Sequence, residues 1–131
     1  MTTAARRVAL RTAALALVAS ACAPSAPELR RADLVGTVWR ELCPDPAIAP
    51  AIVELRPDGL IGWSYAEPEA QLREGFRLDT VHTWAVERGA LLLRWNLGSA
   101  RSRYRPDASR RRMVADTSTF CLPGPELRRL R

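Results

Sequence analysis

From residue 35 onward, apolar and polar side chains alternate in short runs, and turn residues separate one run from the next. A period of two places alternate side chains on opposite faces of a strand, so the pattern predicts half-buried β-strands. Residues 35–42, VGTVWREL, form the first, rich in β-branched and aromatic side chains. Pro44, Pro46 and Pro50 then exclude regular structure, because proline fixes φ and donates no backbone hydrogen bond. Residues 51–56, AIVELR, put Ala51, Val53 and Leu55 on one face. The turn Pro57-Asp58-Gly59 leads into residues 60–65, LIGWSY, as the second arm of a hairpin. Residues 66–75, AEPEAQLREG, are polar and read as one helical turn or a loop. Residues 80–87, TVHTWAVE, and 90–96, ALLLRWN, make another hairpin around Arg88-Gly89. Residues 100–105 send Ala100, Ser102 and Tyr104 one way and Arg101, Arg103 and Arg105 the other. Residues 112–122 supply one or two further strands, and Pro123-Gly124-Pro125 ends the fold. Six to eight short strands with no helical run of about ten residues predict an all-β protein: a small antiparallel barrel, with a sandwich as the alternative.

The first 22 residues read as an address. Residues 1–11 carry Arg6, Arg7 and Arg11 without an acid, and residues 12–21, TAALALVASA, are uncharged and mostly apolar. A basic stretch, a short apolar stretch and small residues before a cleavage point make a secretory signal. Ten helical residues reach about 15 Å, half of a bilayer core, so the segment cannot span. Ala19-Ser20-Ala21-Cys22 resembles the lipobox of bacterial lipoproteins, with Ala19 where that family usually has leucine. The resemblance implies acylation of Cys22, which becomes the mature N-terminus, and Ala23 after it implies outer-membrane sorting. The same residues also fit plain cleavage, which would give a soluble exported protein. Arg6-Arg7 loosely resembles a twin-arginine signal, and the general export route stays open beside it. The expected organisation is a signal peptide over 1–21, a flexible tether over 22–33, the barrel over 34–123 and a basic tail over 124–131.

Cysteine arithmetic extends this reading. The chain has three cysteines, Cys22, Cys43 and Cys121. If lipid consumes Cys22, two remain in an oxidising compartment, and a Cys43–Cys121 bridge becomes the expectation. Bridged Cα atoms lie within about 7 Å. Cys43 ends the first strand and Cys121 is placed in the last, so the bridge would bring the two ends of the sheet together, as barrel closure does.

Further along, Leu34-Val35-Gly36-Thr37-Val38-Trp39, a DG hairpin, the run W-x-V-x-x-G-x-L from Trp84 to Leu91 and a closing cysteine resemble the small lipocalin-like lipoproteins. The likeness covers residues 34–122. The G-T-x-W opening also resembles the META-domain lipoproteins, whose Gly-Cys-Asn run has no counterpart here. Either resemblance implies a small envelope barrel; it speaks to fold, not to a particular ligand.

Composition narrows the chemistry. All 20 basic residues are arginine, beside 21 alanines and 10 prolines, a combination that G+C-rich coding produces. Net charge is +6, and +3 without residues 1–21. Residues 22–100 hold 8 Arg against 11 acids, and residues 101–131 hold 9 Arg against 3. The stretch 101–112, RSRYRPDASRRR, suits anionic lipid headgroups or, most simply, the wet side of a charged edge strand. Export speaks against a nucleic-acid partner. Two cysteines and a single histidine offer no zinc spacing, so no metal or other cofactor is expected. His82 is the only histidine, and no serine or cysteine is marked as its nucleophile, although Asp58 and Asp79 are candidate carboxylate neighbours.

These observations predict an exported, lipid-anchored, periplasm-facing envelope protein without catalytic residues. Trp39, Trp63, Trp84 and Trp95 serve either a packed core or an aromatic-lined cavity. Trp63, Tyr65, His82 and Trp84 are the candidate lining of a site for an apolar small molecule or lipid, because small barrels hold one ligand. The alternative is an interaction or inhibitor module of the envelope, with no cavity.

Overall fold

A computed structural model describes residues 28–65, 67, 70 and 73–131. A single helical turn, α1 (Arg31–Leu34), precedes eight strands: β1 (Val38–Leu42), β2 (Ala51–Leu55), β3 (Leu60–Ser64), β4 (Arg77–Glu87), β5 (Ala90–Trp95), β6 (Ala100–Pro106), β7 (Arg112–Ser118) and β8 (Glu126–Arg129). Each strand pairs antiparallel with the next, and β8 returns to β1, so the sheet is a closed barrel in sequence order. This is the connectivity that up-and-down barrels such as lipocalins use, and closure leaves no free strand edge. The expected small antiparallel barrel is the observed fold.

The inward face follows the alternation read from the sequence. Trp39 lies opposite Val53, Leu55 opposite Ile61, Val86 opposite Leu91, Leu91 opposite Tyr104 and Met113 opposite Leu127. These residues form one core with Trp84 and Leu93. One end of the barrel is sealed. Leu29 and Leu34 pack onto the core, the Leu29 N–H donates to Gly89 O at 3.1 Å, and the Gly36 N–H donates to Leu55 O at 2.8 Å. Arg88 and Gly89 turn there with φ of 51° and 72°, and a Cβ at residue 89 would meet Glu28 at 3.1 Å. Glycine therefore suits the second position twice over, by conformation and by space. At the other end lie the loops 43–50 and 119–125 and the 3-10 turn Asn96–Gly98. The disulfide Cys43–Cys121, with Cα atoms 6.0 Å apart, ties two of them together.

Several expectations are corrected. Residues 124–131 are not a tail, since β8 lies within them and completes the barrel. The stretch 22–33 is not all tether, because Leu29 is buried and α1 begins at Arg31. Cys121 sits in the loop between β7 and β8 rather than in the last strand. The arginine-bearing strand β6 is not an edge; it pairs with β5 and β7 on its two sides. The signal segment and Cys22 lie outside the described residues.

Two register shifts interrupt the ladders. Between β3 and β4 the register moves from Leu60↔Thr83 to Gly62↔Leu78, so β4 carries extra residues around His82. Between β6 and β7 the shift skips Asp116, whose carboxylate meets Arg105 at 2.7 Å and Arg103 at 4.0 Å. Bulges of this kind re-aim side chains at barrel rims.

Candidate functional site

The open end of the barrel contains a cavity of about 410 Å³. Its depth is set by layers. Inward side chains two residues apart on a strand are roughly 7 Å apart along it. Trp39, Leu55, Leu91 and Tyr104 fill the layers toward the sealed end. In the next layer out, β1 offers Glu41, β2 Ala51, β3 Trp63, β4 His82, β5 Trp95 and β6 Ala100, and all six line the cavity. Ala51 on β2 and Ala100 on β6, the latter directly opposite Trp95, leave space beside the rings of Trp63 and Trp95.

The aromatic side chains form a continuous wall. Tyr65 meets the edge of Trp63, with ring centres 5.2 Å apart. Trp63 meets His82 at 6.1 Å, and His82 meets Trp95 at 5.0 Å. Asp79 holds the wall from behind: it accepts from Trp63 Nε1 at 3.0 Å and lies 3.6 Å from His82 Nε2. The Asn96 N–H donates to His82 Nδ1 at 3.1 Å, which places the ring proton of a neutral imidazole on Nε2, toward Asp79. Tyr65, 67% exposed, stands at the rim, and Phe120 enters from the disulfide-bonded loop. Trp95 Nε1 is buried without a hydrogen-bond partner among the described residues.

Glu41 is the ionisable group at the base. It is buried, and it accepts a 2.5 Å hydrogen bond from the Tyr104 hydroxyl. Burial pushes its carboxyl up to about 7, against a smaller lowering by the Tyr104 hydrogen bond. The Tyr104 hydroxyl is raised well above its ordinary range, by burial first and then by the Glu41 charge. A buried carboxyl that opens onto a cavity is a common mark of a functional site, because desolvation of a charge is retained only where something gains from it.

The structure thus brings together three of the four residues singled out from the sequence, Trp63, Tyr65 and His82. Trp84 is not with them. It lies one layer deeper, packs in the core, and donates from Nε1 to Arg56 O at 2.8 Å, with Arg31 stacked 4.3 Å over its ring. Of the two carboxylates considered for His82, Asp79 is its neighbour. Asp58 instead caps the β2–β3 turn through Leu60 N and bonds Arg56. Glu41, Trp95 and Phe120 complete the lining. Glu41 was visible in the alternation, since it shares a strand face with Trp39 in VGTVWREL. Phe120 carried no such signal, because it lies in a loop that only the fold carries to the mouth. Among the described residues no cluster of His, Cys, Asp or Glu could hold a metal ion.

The fold and the cavity define the class: a small up-and-down antiparallel barrel, sealed at one end and open at the other. Set against known protein families, curated proteins and solved structures, the chain has no match.

Proposed function

We propose that this protein is a non-enzymatic, lipid-anchored envelope protein whose barrel mouth binds a small molecule with an apolar body. The carrying observation is the cavity itself: about 410 Å³, walled by four rings that touch in succession, is within the size range of small-molecule sites. The Glu41 carboxyl supplies a polar group of the kind that orients a ligand in such a site.

Anchoring rests on the lipobox-like Ala19-Ser20-Ala21-Cys22, and the Cys43–Cys121 disulfide fits an oxidising compartment. The geometry suits an anchor on Cys22. The chain reaches the barrel at its sealed end, through Leu29, so a short tether to the membrane would leave the open mouth facing the periplasm. Fatty-acid labelling checks this directly: wild type takes up label and Cys22→Ser does not. Equal labelling of both, or of neither, overturns the anchor.

Native mass spectrometry of protein extracted from envelopes tests the binding reading, with a retained small molecule as the expected result. Tryptophan fluorescence should respond to apolar probes in wild type and far less in Trp63→Leu. A second reading, a protein-interaction module, draws on two exposed leucines at the open end: Leu97, 83% exposed with φ 59°, and Leu122, 80% exposed. A co-purifying protein, no retained ligand and unresponsive fluorescence would favour that reading instead.

A further inference from the structure

We propose that the cavity's ligand is an organic cation, with an ammonium group seated over Glu41 and an apolar body against the aromatic wall. This rests on the ligand-binding reading above and names the chemistry of the ligand.

The charge inside the cavity has the opposite sign to the charge of the chain. The protein carries 20 arginines against 14 acids. Arg94, Arg101, Arg103, Arg105 and Arg128 sit on the outer face of the barrel, several paired with Glu87, Asp116 or Glu126. Yet among the described residues lining the cavity there is no arginine, and the acid is Glu41. A site for a fatty acid or another anion would need the reverse, a cation at the base, and this protein has arginine in abundance from which to supply one.

Among the described residues, Glu41 also has unfilled acceptor capacity. A carboxylate accepts about four hydrogen bonds. Glu41 accepts from Tyr104, and its cross-strand neighbours Ala51 and Leu127 are uncharged. A buried carboxylate without a counter-charge is costly, and a cation entering from the cavity would supply one.

The wall suits the same ligand. Trp, Tyr and Phe rings attract a cation within about 6 Å of the ring centre, most strongly when water is excluded. Trp63, Tyr65, Trp95 and Phe120 all line the space above Glu41. Trp63 already attracts one cation from outside the cavity, the Arg77 guanidinium at 5.3 Å from its ring centre. A fatty acyl chain would gain nothing from π faces that an aliphatic lining could not give. An ammonium group gains from both the rings and the carboxylate.

Three probes that share one chain length, octyltrimethylammonium, octanol and octanoate, test this in fluorescence titrations at pH 8. The cation should bind at least tenfold more tightly than either of the others. Glu41→Gln should abolish that preference, with the cation losing far more affinity than octanol does. The wild-type pH profile reads the same contact without a variant. The ionised carboxylate is the form that binds the cation, so affinity for the cation should fall toward tenfold per pH unit below about 7, while octanol affinity stays flat. His82 shares the cavity and is itself titratable, so His82→Gln serves as the control and should retain the fall. The Tyr104 hydroxyl stays protonated throughout this range.

Octanol or octanoate binding as tightly as the cation would overturn the cation and leave the ligand-binding reading standing. So would a flat wild-type profile, or an unchanged preference in Glu41→Gln. Failure of all three probes to bind would overturn both.

Discussion

At the residue scale, Glu41 is where local preference and the fold disagree. Its neighbours in VGTVWREL make a strand whose inner face carries Trp39, and the same alternation draws Glu41 inside. In the folded protein its carboxyl is raised to about 7, against 4.5 for an ordinary glutamate. Between these values the folded state keeps a proton that the unfolded chain has lost, so rising pH costs stability there. The full shift corresponds to about 3 kcal/mol. Glu41→Gln keeps the shape and can still accept from Tyr104. It should match wild type near pH 4 and exceed it by about 2–3 kcal/mol at pH 8, read by urea unfolding at the two pH values. A variant less stable than wild type at pH 8 would mean that Glu41 is not a burden to the free protein. Retaining a residue that destabilises the empty barrel is the trade expected of a binding site.

At the scale of elements, β8 decides whether the sheet closes. It is four residues long and holds Leu127 in the core between Glu41 of β1 and Met113 of β7. Leu127→Ala should cost about 2–5 kcal/mol, visible in the denaturant midpoint. Deleting residues 124–131 should expose the edges of β1 and β7 and yield an aggregating chain, measured by light scattering. On the outer face Glu126 accepts from Arg112 at 2.7 Å and from Arg128 at 2.7 Å, which holds its carboxyl at about 2. Here the sign is opposite to that of Glu41. The contribution is complete above 4.5, where the unfolded glutamate is ionised, and is lost as pH falls toward 2. Solvent screening keeps it small, so Glu126→Gln should cost about 1 kcal/mol at pH 7 and nothing near pH 2, read by thermal melts across that range.

At the scale of the whole molecule, the Cys43–Cys121 bridge lies at the mouth and spans 78 positions. Chain-entropy arguments give roughly 4.5 kcal/mol for a loop of this length. Its site beside the cavity adds a functional consequence, since one of the bridged loops carries Ile48 and the other Phe120, both in the lining. A Cys43→Ser, Cys121→Ser double variant should melt at lower temperature and also bind apolar probes more weakly. Unchanged binding at temperatures where the variant is folded would show that the bridge serves stability alone.

The sequence by itself determined the strand content, most turns and the inward face. Each of these comes from neighbours a few residues apart: the period of two, proline's fixed φ and the Asp-Gly and Arg-Gly turns. It also showed the two cysteines that bridge, because only their pairing leaves no odd thiol once Cys22 is set aside. It did not show that 124–131 is a strand. ELRRLR carries four charges in six residues and looks like solvated chain until β1 and β7 offer it hydrogen bonds on both sides. Nor did it separate Trp84 from Trp63, since both alternate inward and only the barrel's closure places one in the sealed floor and the other in the wall. The cavity is a tertiary fact for the same reason. Glu41, Trp63, His82, Trp95 and Phe120 lie far apart along the chain and meet because the sheet curls shut, and the sign of the charge at its base becomes visible only once they do.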